Sequence, residues 1–136
     1  MSTFDYGLAY LRGEFDLADQ DRLDAALTTI AGARTAILDL RYMTYMDSTV
    51  LRCFTRFHSD RARTSDAAPR LLFEPTQAIA RILHITGLDT IFPPAQPDEL
   101  LDRPVGPPAG LDAESASSAI AIYREEGPEG GRWVFF

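Results

Sequence analysis

The hydrophobic and polar positions along the chain follow two different periods. Short apolar runs that end at turn residues are typical of β-strands, whereas apolar residues spaced three and four positions apart are typical of amphipathic helices. This pattern predicts strands at 8–15, 34–40, 70–74 and 89–92, and helices at 16–32, 47–63 and 75–87. It also predicts a short first strand at 2–5, with Tyr6 and Gly7 as the turn that follows it.

The alternation of strands and helices indicates an α/β fold. Strands that alternate with helices form a sheet with right-handed crossovers, so we expect a mixed sheet of four to five strands packed with three to four helices. In the second predicted helix, the inner face is made by Val50, Leu51, Phe54 and Phe57. Four arginines lie elsewhere on that helix and leave a cationic flank: Arg52, Arg56, Arg61 and Arg63.

The chain changes character after Phe92. Six of the 18 residues in 93–110 are proline, which is typical of a linker. We therefore expect one domain at 1–103, a linker at 104–118 and a C-terminal extension at 119–136. Two apolar runs in the extension flank a glycine-rich turn, a pattern that predicts a β-hairpin.

The extension ends in aromatic residues. Trp133, Phe135 and Phe136 are costly to leave in water, and an isolated hairpin is marginally stable, so we expect the hairpin to be docked on another surface. An exposed edge of the main sheet is the natural acceptor, because an added strand satisfies its free backbone groups. In the alternative, the tail covers a neighbouring chain and forms a homodimer.

The composition is that expected of a soluble, cytoplasmic protein. Of the 136 residues 46% are apolar, which is enough to build a core. The N-terminus lacks the basic and apolar regions of a signal peptide, and no apolar segment approaches the roughly 20 residues of a membrane helix, so we expect no membrane insertion. The net charge of −7 argues against direct binding to nucleic acid. The single Cys53 cannot build a disulfide framework and is expected to be a buried helix residue.

Candidate catalytic chemistry is sparse in the sequence. His58 and His84 lie far apart, with no cysteine or carboxylate in metal-ligand spacing around either one, so a zinc site is not expected. The motifs of serine hydrolases, phosphate-binding loops and dinucleotide-binding folds do not occur. Asp16 and Asp47 show no sign of an acid–base pair in the sequence. We expect a protein that is not an enzyme and uses neither a metal nor another cofactor.

The triplet Asp47-Ser48-Thr49 stands where a predicted strand meets a predicted helix. All three residue types are favoured helix N-caps, because a side-chain oxygen accepts a free backbone N–H of the first turn. The same geometry also presents a serine hydroxyl at the sheet edge. A phosphate added there would lie on the positive end of the helix, within reach of Arg52 four residues later. The residues alone leave both interpretations open.

Three stretches together resemble the STAS domain (sulphate transporter and anti-sigma factor antagonist). The first is "LRGEFD" at 11–16, which is similar to the family's G-E-hydrophobic-D at the end of an early strand. The second, "ILDLRYMTYMDST" at 37–49, resembles the strand and loop that end in D-S-[ST]. The third, "EPTQAIARILHITGLDTIF" at 74–92, resembles the closing strand, helix and T-G turn. The resemblance covers roughly residues 4–103.

The resemblance implies a partner switch. In the free-standing bacterial members, which are anti-sigma factor antagonists, the serine after the aspartate of D-S-[ST] is phosphorylated, and here that residue is Ser48. The unmodified protein would bind an anti-sigma factor that is itself a serine kinase, phosphorylation would break the complex, and a serine phosphatase would restore it. The expected partner-binding residues are Asp16, Asp47, Ser48, Thr49, Arg52 and Arg56. The typical antagonist has glycine where this sequence has Val50 and Arg52.

A second class of function shares the fold. Ser48 could be only a helix cap in an interaction module, either a scaffold subunit of a signalling assembly or the STAS partner of a lipid transporter, since a fold does not determine a function. Nucleotide binding, known for some relatives, is a third alternative.

Overall fold

The computed structural model describes residues 4–64, 68–74, 77–95, 107–108, 118–125 and 130–136. Its strands are β1 (Phe4–Phe15), β2 (Ala33–Met46), β3 (Arg70–Leu72), β4 (Ala119–Glu125) and β5 (Gly131–Phe135). Its helices are α1 (Gln20–Thr28), α2 (Ser48–Thr64), α3 (Ala78–Ile85) and α4 (Leu88–Ile91), and a short 3-10 helix (Leu17–Asp19) precedes α1. The described residues thus contain five strands and four α-helices, which confirms the predicted α/β class.

The strands form a single mixed sheet in the order β3-β2-β1-β4-β5. β1 runs parallel to β2, and β2 runs parallel to β3. The C-terminal hairpin predicted from the sequence is present as β4 and β5, and it joins this sheet because β4 pairs antiparallel with β1. The tail is therefore docked on its own domain, and β1 lies at the centre of the sheet.

The two faces of the sheet bury different residues. One face carries the larger core, in which apolar strand residues pack against residues of all four α-helices, among them Leu23, Phe54, Leu83 and Leu88. The other face carries a smaller cluster of strand residues rich in tyrosine: Tyr6, Leu8, Tyr10, Ile37, Ala121 and Tyr123. Burial of these side chains on both faces is the main stabilising contribution to the sheet.

The prediction of a separate first strand and a turn at Tyr6-Gly7 is wrong. β1 is continuous from Phe4, and Gly7 pairs with Ala36 of β2. A Cβ at Gly7 would lie 2.7 Å from Cγ2 of Ile30. The glycine is thus required by close packing against the segment after α1, and not by a turn. Residues 1–3 lie outside the described part of the chain.

The prediction of a strand at 89–92 is also wrong, because these residues belong to α4 and its end. Gly87 adopts a left-handed conformation, with φ of 77°, which ends α3 and begins the new turn. Leu88 and Phe92 are buried one helical turn apart, and the Phe92 ring packs edge-on against Phe54. A short apolar run with residues at i and i+4 fits this turn as well as it fits a strand.

Two other boundaries differ from the sequence prediction. α1 ends at Thr28 and not near Gly32, since the hydroxyls of Thr28 and Thr29 donate to backbone carbonyl oxygens one turn earlier. Such side-chain bonds compete with helix propagation. β2 continues six residues past Leu40, to Met46, and the pairing with β1 shifts register twice along this part. These irregularities carry the strand as far as the loop that precedes α2.

The cationic flank predicted for α2 does not include Arg61, whose side chain is buried. Its guanidinium donates to the carbonyl oxygens of Ala33 at 2.6 Å, Ala31 at 3.3 Å and Arg34 at 3.5 Å. Burial lowers the pKa of Arg61 to about 10. Arg61 therefore ties α2 to the end of the loop after α1 and to the start of β2.

The proposed division into a domain, a linker and an extension stays a prediction. Most of the linker at 104–118 lies outside the described residues. Its last residue, Ser118, donates its hydroxyl to the carboxylate of Asp19 at 2.7 Å and accepts a hydrogen bond from Arg22. The start of the extension is thus held at the beginning of α1.

Candidate functional site

The two parallel strands β1 and β2 end together at one edge of the sheet. Phe15 at the end of β1 pairs with Met46 at the end of β2. Asp16 and Asp47 are the next residues along each strand, so the register brings these two predicted site residues to the same edge. Both precede helices, and their carboxylates therefore lie where backbone N–H groups are free.

Asp47 is the residue that caps α2. One oxygen of its carboxylate accepts the backbone N–H of Thr49 at 2.9 Å, and its carbonyl oxygen accepts that of Val50 at 3.1 Å. Ser48 is the first residue of the helix, and its side chain is exposed. Among the described residues, the Ser48 hydroxyl has no hydrogen-bond partner. The capping role that the sequence left open between the three residues belongs to Asp47, and the Ser48 hydroxyl is left facing solvent.

Thr49 and Val50 point into the protein. Thr49 is only 4% exposed and Val50 only 1%. Thr49 therefore lies in the candidate site as a residue that supports the start of the helix, and its hydroxyl is not presented to solvent as that of Ser48 is. Because Val50 is a core residue, its side chain is not part of the outer surface of α2.

Asp16 holds the beginning of the 3-10 helix. Its carboxylate accepts the backbone N–H of Ala18 at 2.9 Å, while the carboxylate of Asp19 accepts the backbone N–H of Asp16 at 2.9 Å. These reciprocal bonds form a capping box. Burial would raise the pKa of Asp19, but the bonds from Asp16 and Ser118 and the charge of Arg22 lower it overall. The loop that follows β1 is thus fixed by several hydrogen bonds.

The outer face of α2 continues from Ser48 through Arg52 to Arg56, each one helical turn from the last. Both arginines are exposed, as the sequence predicted. Arg56 makes an ion pair of 3.1 Å with Asp24 of α1, whereas Arg52 has no ion pair among the described residues. Together with Cys53 they line a shallow groove of about 410 Å³ between α1 and α2. Arg52 is therefore an exposed cation one helical turn from Ser48, without an ion pair to any described residue.

Two apolar side chains at this edge were missed by the sequence analysis. Leu17, next to Asp16, is 65% exposed, and Tyr45, near the end of β2, is 48% exposed. Contiguous exposed apolar side chains rimmed by polar residues mark protein interfaces, and aromatic residues such as tyrosine are enriched there. The exposure of Leu17 could have been predicted from its position directly after Asp16, which caps a short turn. A turn of that length cannot bury a leucine side chain. The exposure of Tyr45 could not be predicted in this way, because the predicted strand ended at Leu40.

Other chemistry is limited in the part of the chain that the structure describes. Cys53 is buried, and burial, followed by the nearby carboxylate of Asp24, raises its pKa to about 12. The described residues contain no group of three or more His, Cys, Asp or Glu side chains that could hold a metal ion. Within the same ranges, the helices lack the combination of length and apolar character that crossing a bilayer requires.

Comparisons with known proteins give the fold and the family. The anti-sigma factor antagonist SpoIIAA in its unphosphorylated form has a TM-score of 0.59 and 21% identity, over 76% of this chain and 90% of that chain. The Bacillus cell fate determinant SpoIIAA in its phosphorylated form has a TM-score of 0.52 and 20% identity, over 76% and 94%. At these identities the likeness establishes the fold alone. No significant match was found among curated protein sequences. The model of the STAS domain matches residues 6–99, and the chain therefore belongs to the STAS domain family.

Proposed function

We propose that this protein is an anti-sigma factor antagonist that acts in the cytoplasm and is switched by phosphorylation of Ser48. The unmodified protein binds an anti-sigma factor that is a serine kinase, and a sigma factor is released. Phosphorylation by that kinase breaks the complex, and a serine phosphatase restores it. The protein is thus a substrate of the kinase and does not itself catalyse a reaction.

The observation that carries this proposal is that Asp47, and not Ser48, caps α2. Because Asp47 provides the cap, the Ser48 hydroxyl makes no hydrogen bond to a described residue that modification by a kinase would break. The hydroxyl is exposed on the first residue of a helix, where the backbone dipole favours an added anion. The likeness to a protein known in both unphosphorylated and phosphorylated forms adds support.

The partner surface in this proposal is the edge where β1 and β2 end. It contains the exposed apolar residues Leu17 and Tyr45 as anchors, with the polar residues Asp16, Asp47, Ser48, Arg52 and Arg56 around them. A few side chains, most often tryptophan, tyrosine and arginine, supply most of the binding free energy at an interface, and complementary charges favour one partner over another. Thr49 belongs to this site only through its support of the helix start.

Phosphorylation changes the charge at the centre of that surface. A phosphate adds about −1.5 to −2 at neutral pH. It would lie between the carboxylate of Asp47 and the side chain of Arg52, which is one helical turn away. We expect Arg52 to fold back onto the phosphate, because no other described group holds it in an ion pair. A partner carboxylate that bound Arg52 would then lose its cation and meet a new negative charge.

The test is phosphorylation by the anti-sigma factor kinase with ATP, followed by mass spectrometry and by a binding titration. We expect a single phosphate on Ser48, none on the buried Thr49, and none in Ser48→Ala. Ser48→Asp should raise the Kd for the kinase by at least about tenfold, which corresponds to about 1.4 kcal/mol. Ser48→Ala should bind as the unmodified protein does, in the presence or absence of ATP.

Ser59→Asp is the matched control. Ser59 is exposed on the same helix, about 16 Å further along its axis, and it receives the same added charge. We expect its Kd to change less than threefold, because the added charge is more than a Debye length from Ser48, and the neighbouring partner-surface residue Arg56 is already paired with Asp24. Phosphorylation at another residue, or an unchanged Kd in Ser48→Asp, would contradict the proposed switch.

One observation favours a second candidate, an interaction module that is not phosphorylated. Arg52 stands at an exposed position where the typical antagonist has glycine, and a bulky cation there alters the docking surface. Such a module would serve as a scaffold subunit or as part of a lipid transporter. Arg52→Gly separates the two: weaker binding to the kinase supports the first candidate, in which Arg52 is part of the partner surface, and loss of binding to a different partner supports the second.

A further inference from the structure

The two edges of the sheet are protected differently. At the β3 edge, the backbone N–H of Leu71 donates to the carbonyl of Pro93 at 2.9 Å, and that of Ala95 donates to the carbonyl of Leu71 at 2.8 Å. Residues 93–95 therefore cover that edge. At the other edge, β5 pairs with β4, and no described segment pairs with its outer side. An uncovered edge strand is a template for another strand.

The register of the hairpin shows which backbone groups of β5 are free. Phe136 donates its N–H to the carbonyl of Ile120, and Ile122 lies opposite Val134 in the same ladder. Because inward and outward groups alternate along an antiparallel strand, Arg132 and Val134 direct their N–H and C=O groups toward β4. Gly131, Trp133 and Phe135 direct theirs outward, and beyond this ladder none of the three has a hydrogen bond to a residue that the structure describes.

The side chains of β5 are those of a contact surface and not of a protected edge. Val134 is 42% exposed and Phe135 is 51% exposed, although proteins usually protect an edge strand with charge, proline or a bulge. Arg132 is the only charged residue on the strand. On one face an aromatic row runs outward to this edge, from Tyr6 to Tyr123 at 5.9 Å and from Tyr123 to Trp133 at 5.4 Å between ring centroids.

We propose that β5 pairs antiparallel with β5 of a second copy of this chain, with the two-fold axis at Trp133. In this register Trp133 lies opposite its own copy, and Gly131 lies opposite Phe135 of the second copy, so every outward N–H and C=O of the three residues is bonded. A shift of the axis to Arg132 or Val134 leaves some of them unbonded. The arrangement is self-complementary, as a two-fold interface requires.

The side chains fit the same register. Gly131 has no side chain, and an added Cβ would lie 2.5 Å from Cζ of Tyr123, so the Tyr123 ring reaches over Gly131 to the edge. Phe135 of the second copy would therefore contact that ring across the axis, and the aromatic row would continue through Trp133 into the other sheet. Arg132 would lie opposite Val134 and not opposite the other Arg132, which avoids a direct like-charge pair.

The size of the contact limits its strength. β5 has five residues, whereas a standard stable interface has about 20–30 residues on each side. The dimer should therefore dissociate on dilution, with a Kd on the order of 100 µM. The inference concerns the sheet edge alone and does not depend on phosphorylation of Ser48.

The experiment is hydrogen exchange of the full chain, followed residue by residue by NMR at about 10 µM and about 1 mM. With a Kd on the order of 100 µM, the amides of Gly131, Trp133 and Phe135 should exchange about fourfold more slowly at the higher concentration. The amides of Arg132 and Val134 should be protected equally at both, since they bond to β4. Trp133 is the only tryptophan, so its fluorescence emission should shift with concentration as well.

Phe135→Pro tests the same contact in sedimentation equilibrium. The N–H at 135 points outward, so proline is compatible with β5 in the monomer but removes a bond of the dimer. We expect Phe135→Pro and Phe135→Lys to stay monomeric. The control is Ile85→Lys, which removes another exposed apolar residue, at the end of α3. We expect it to dimerise as the wild type does. The proposal would be overturned by any of three results: a wild type that is monomeric up to about 1 mM, amide exchange that is independent of concentration, or dimers of both Phe135 variants.

Discussion

Because Asp47 caps α2, we expect substitutions of Asp47 and of Ser48 to change the free energy of unfolding by different amounts. Asp47→Ala removes the carboxylate that accepts the N–H of Thr49 at 2.9 Å and leaves that donor, on a buried residue, without a side-chain partner. Loss of such a cap typically costs about 1 kcal/mol, and loss of a negative charge at the helix N-terminus costs about 0.3–1 kcal/mol more. The free energy of unfolding should therefore fall by about 1–2 kcal/mol, and Tm should fall by roughly 4–8 °C for a chain of this size.

Urea denaturation followed by circular dichroism measures this difference. Asp47→Asn keeps an oxygen acceptor and loses only the charge, so it should be destabilised by less than about 1 kcal/mol. Ser48→Ala removes an exposed hydroxyl with no described partner and should stay within about 0.5 kcal/mol of the wild type. If Ser48→Ala destabilised the protein as much as Asp47→Ala, Ser48 would be the capping residue, and the argument from its free hydroxyl would fail.

Two further predictions concern buried polar groups. Arg61→Met should lower the free energy of unfolding by about 1–3 kcal/mol in urea denaturation, because the carbonyl oxygens of Ala31 and Ala33 lose a charged donor; an unchanged value would contradict that anchoring role. Cys53 should react with a thiol reagent at pH 8 at least about 100-fold more slowly in the native protein than in urea. Its pKa rises from 9.0 to about 12, so its stabilising contribution is complete below pH 9 and declines toward pH 12; native reactivity equal to that in urea would exclude this burial.

The sequence determined the order of the main elements because their periods are strong. The stripe of Leu23, Ala26 and Leu27 predicted α1, and all three residues are buried in it. The two apolar runs around a glycine-rich turn predicted the hairpin, because pairing of adjacent segments is local. The expectation that this hairpin would dock on an edge of its own sheet is also confirmed, through the pairing of Tyr10 with Ala121.

The errors arose where tertiary packing decided between equal local preferences. Phe92 fits either a strand or a helix turn, and its contact with Phe54 selected the turn. Gly7 fits a turn, but close packing against Ile30 explains its presence in a strand. Arg61 follows the spacing of a solvated helix face, and only the position of three carbonyl groups distant in sequence explains its burial.

The sequence placed Asp47, Ser48 and Thr49 at the start of α2 but did not show which of them caps it. The order Asp47-Ser48-Thr49 contains three residues that could each cap a helix. Only the geometry assigns the cap to Asp47 and buries Thr49. Tyr45 lay beyond the predicted strand end, so its exposure depended on two register shifts that no local pattern indicates.

The central position of β1 has a consequence for the order of events during synthesis. β1 is made before every other strand of this sheet, yet one of its two neighbours, β4, follows only after α4 has emerged from the ribosome. Until then Tyr6, Leu8 and Tyr10 border an unfilled edge at the middle of the future sheet. Such long-range pairing closes slowly and leaves the nascent chain open to wrong strand partners. The residues matched by the STAS domain, 6–99, end before β4. A chain truncated after residue 99 would therefore lack the strand that pairs with this side of β1.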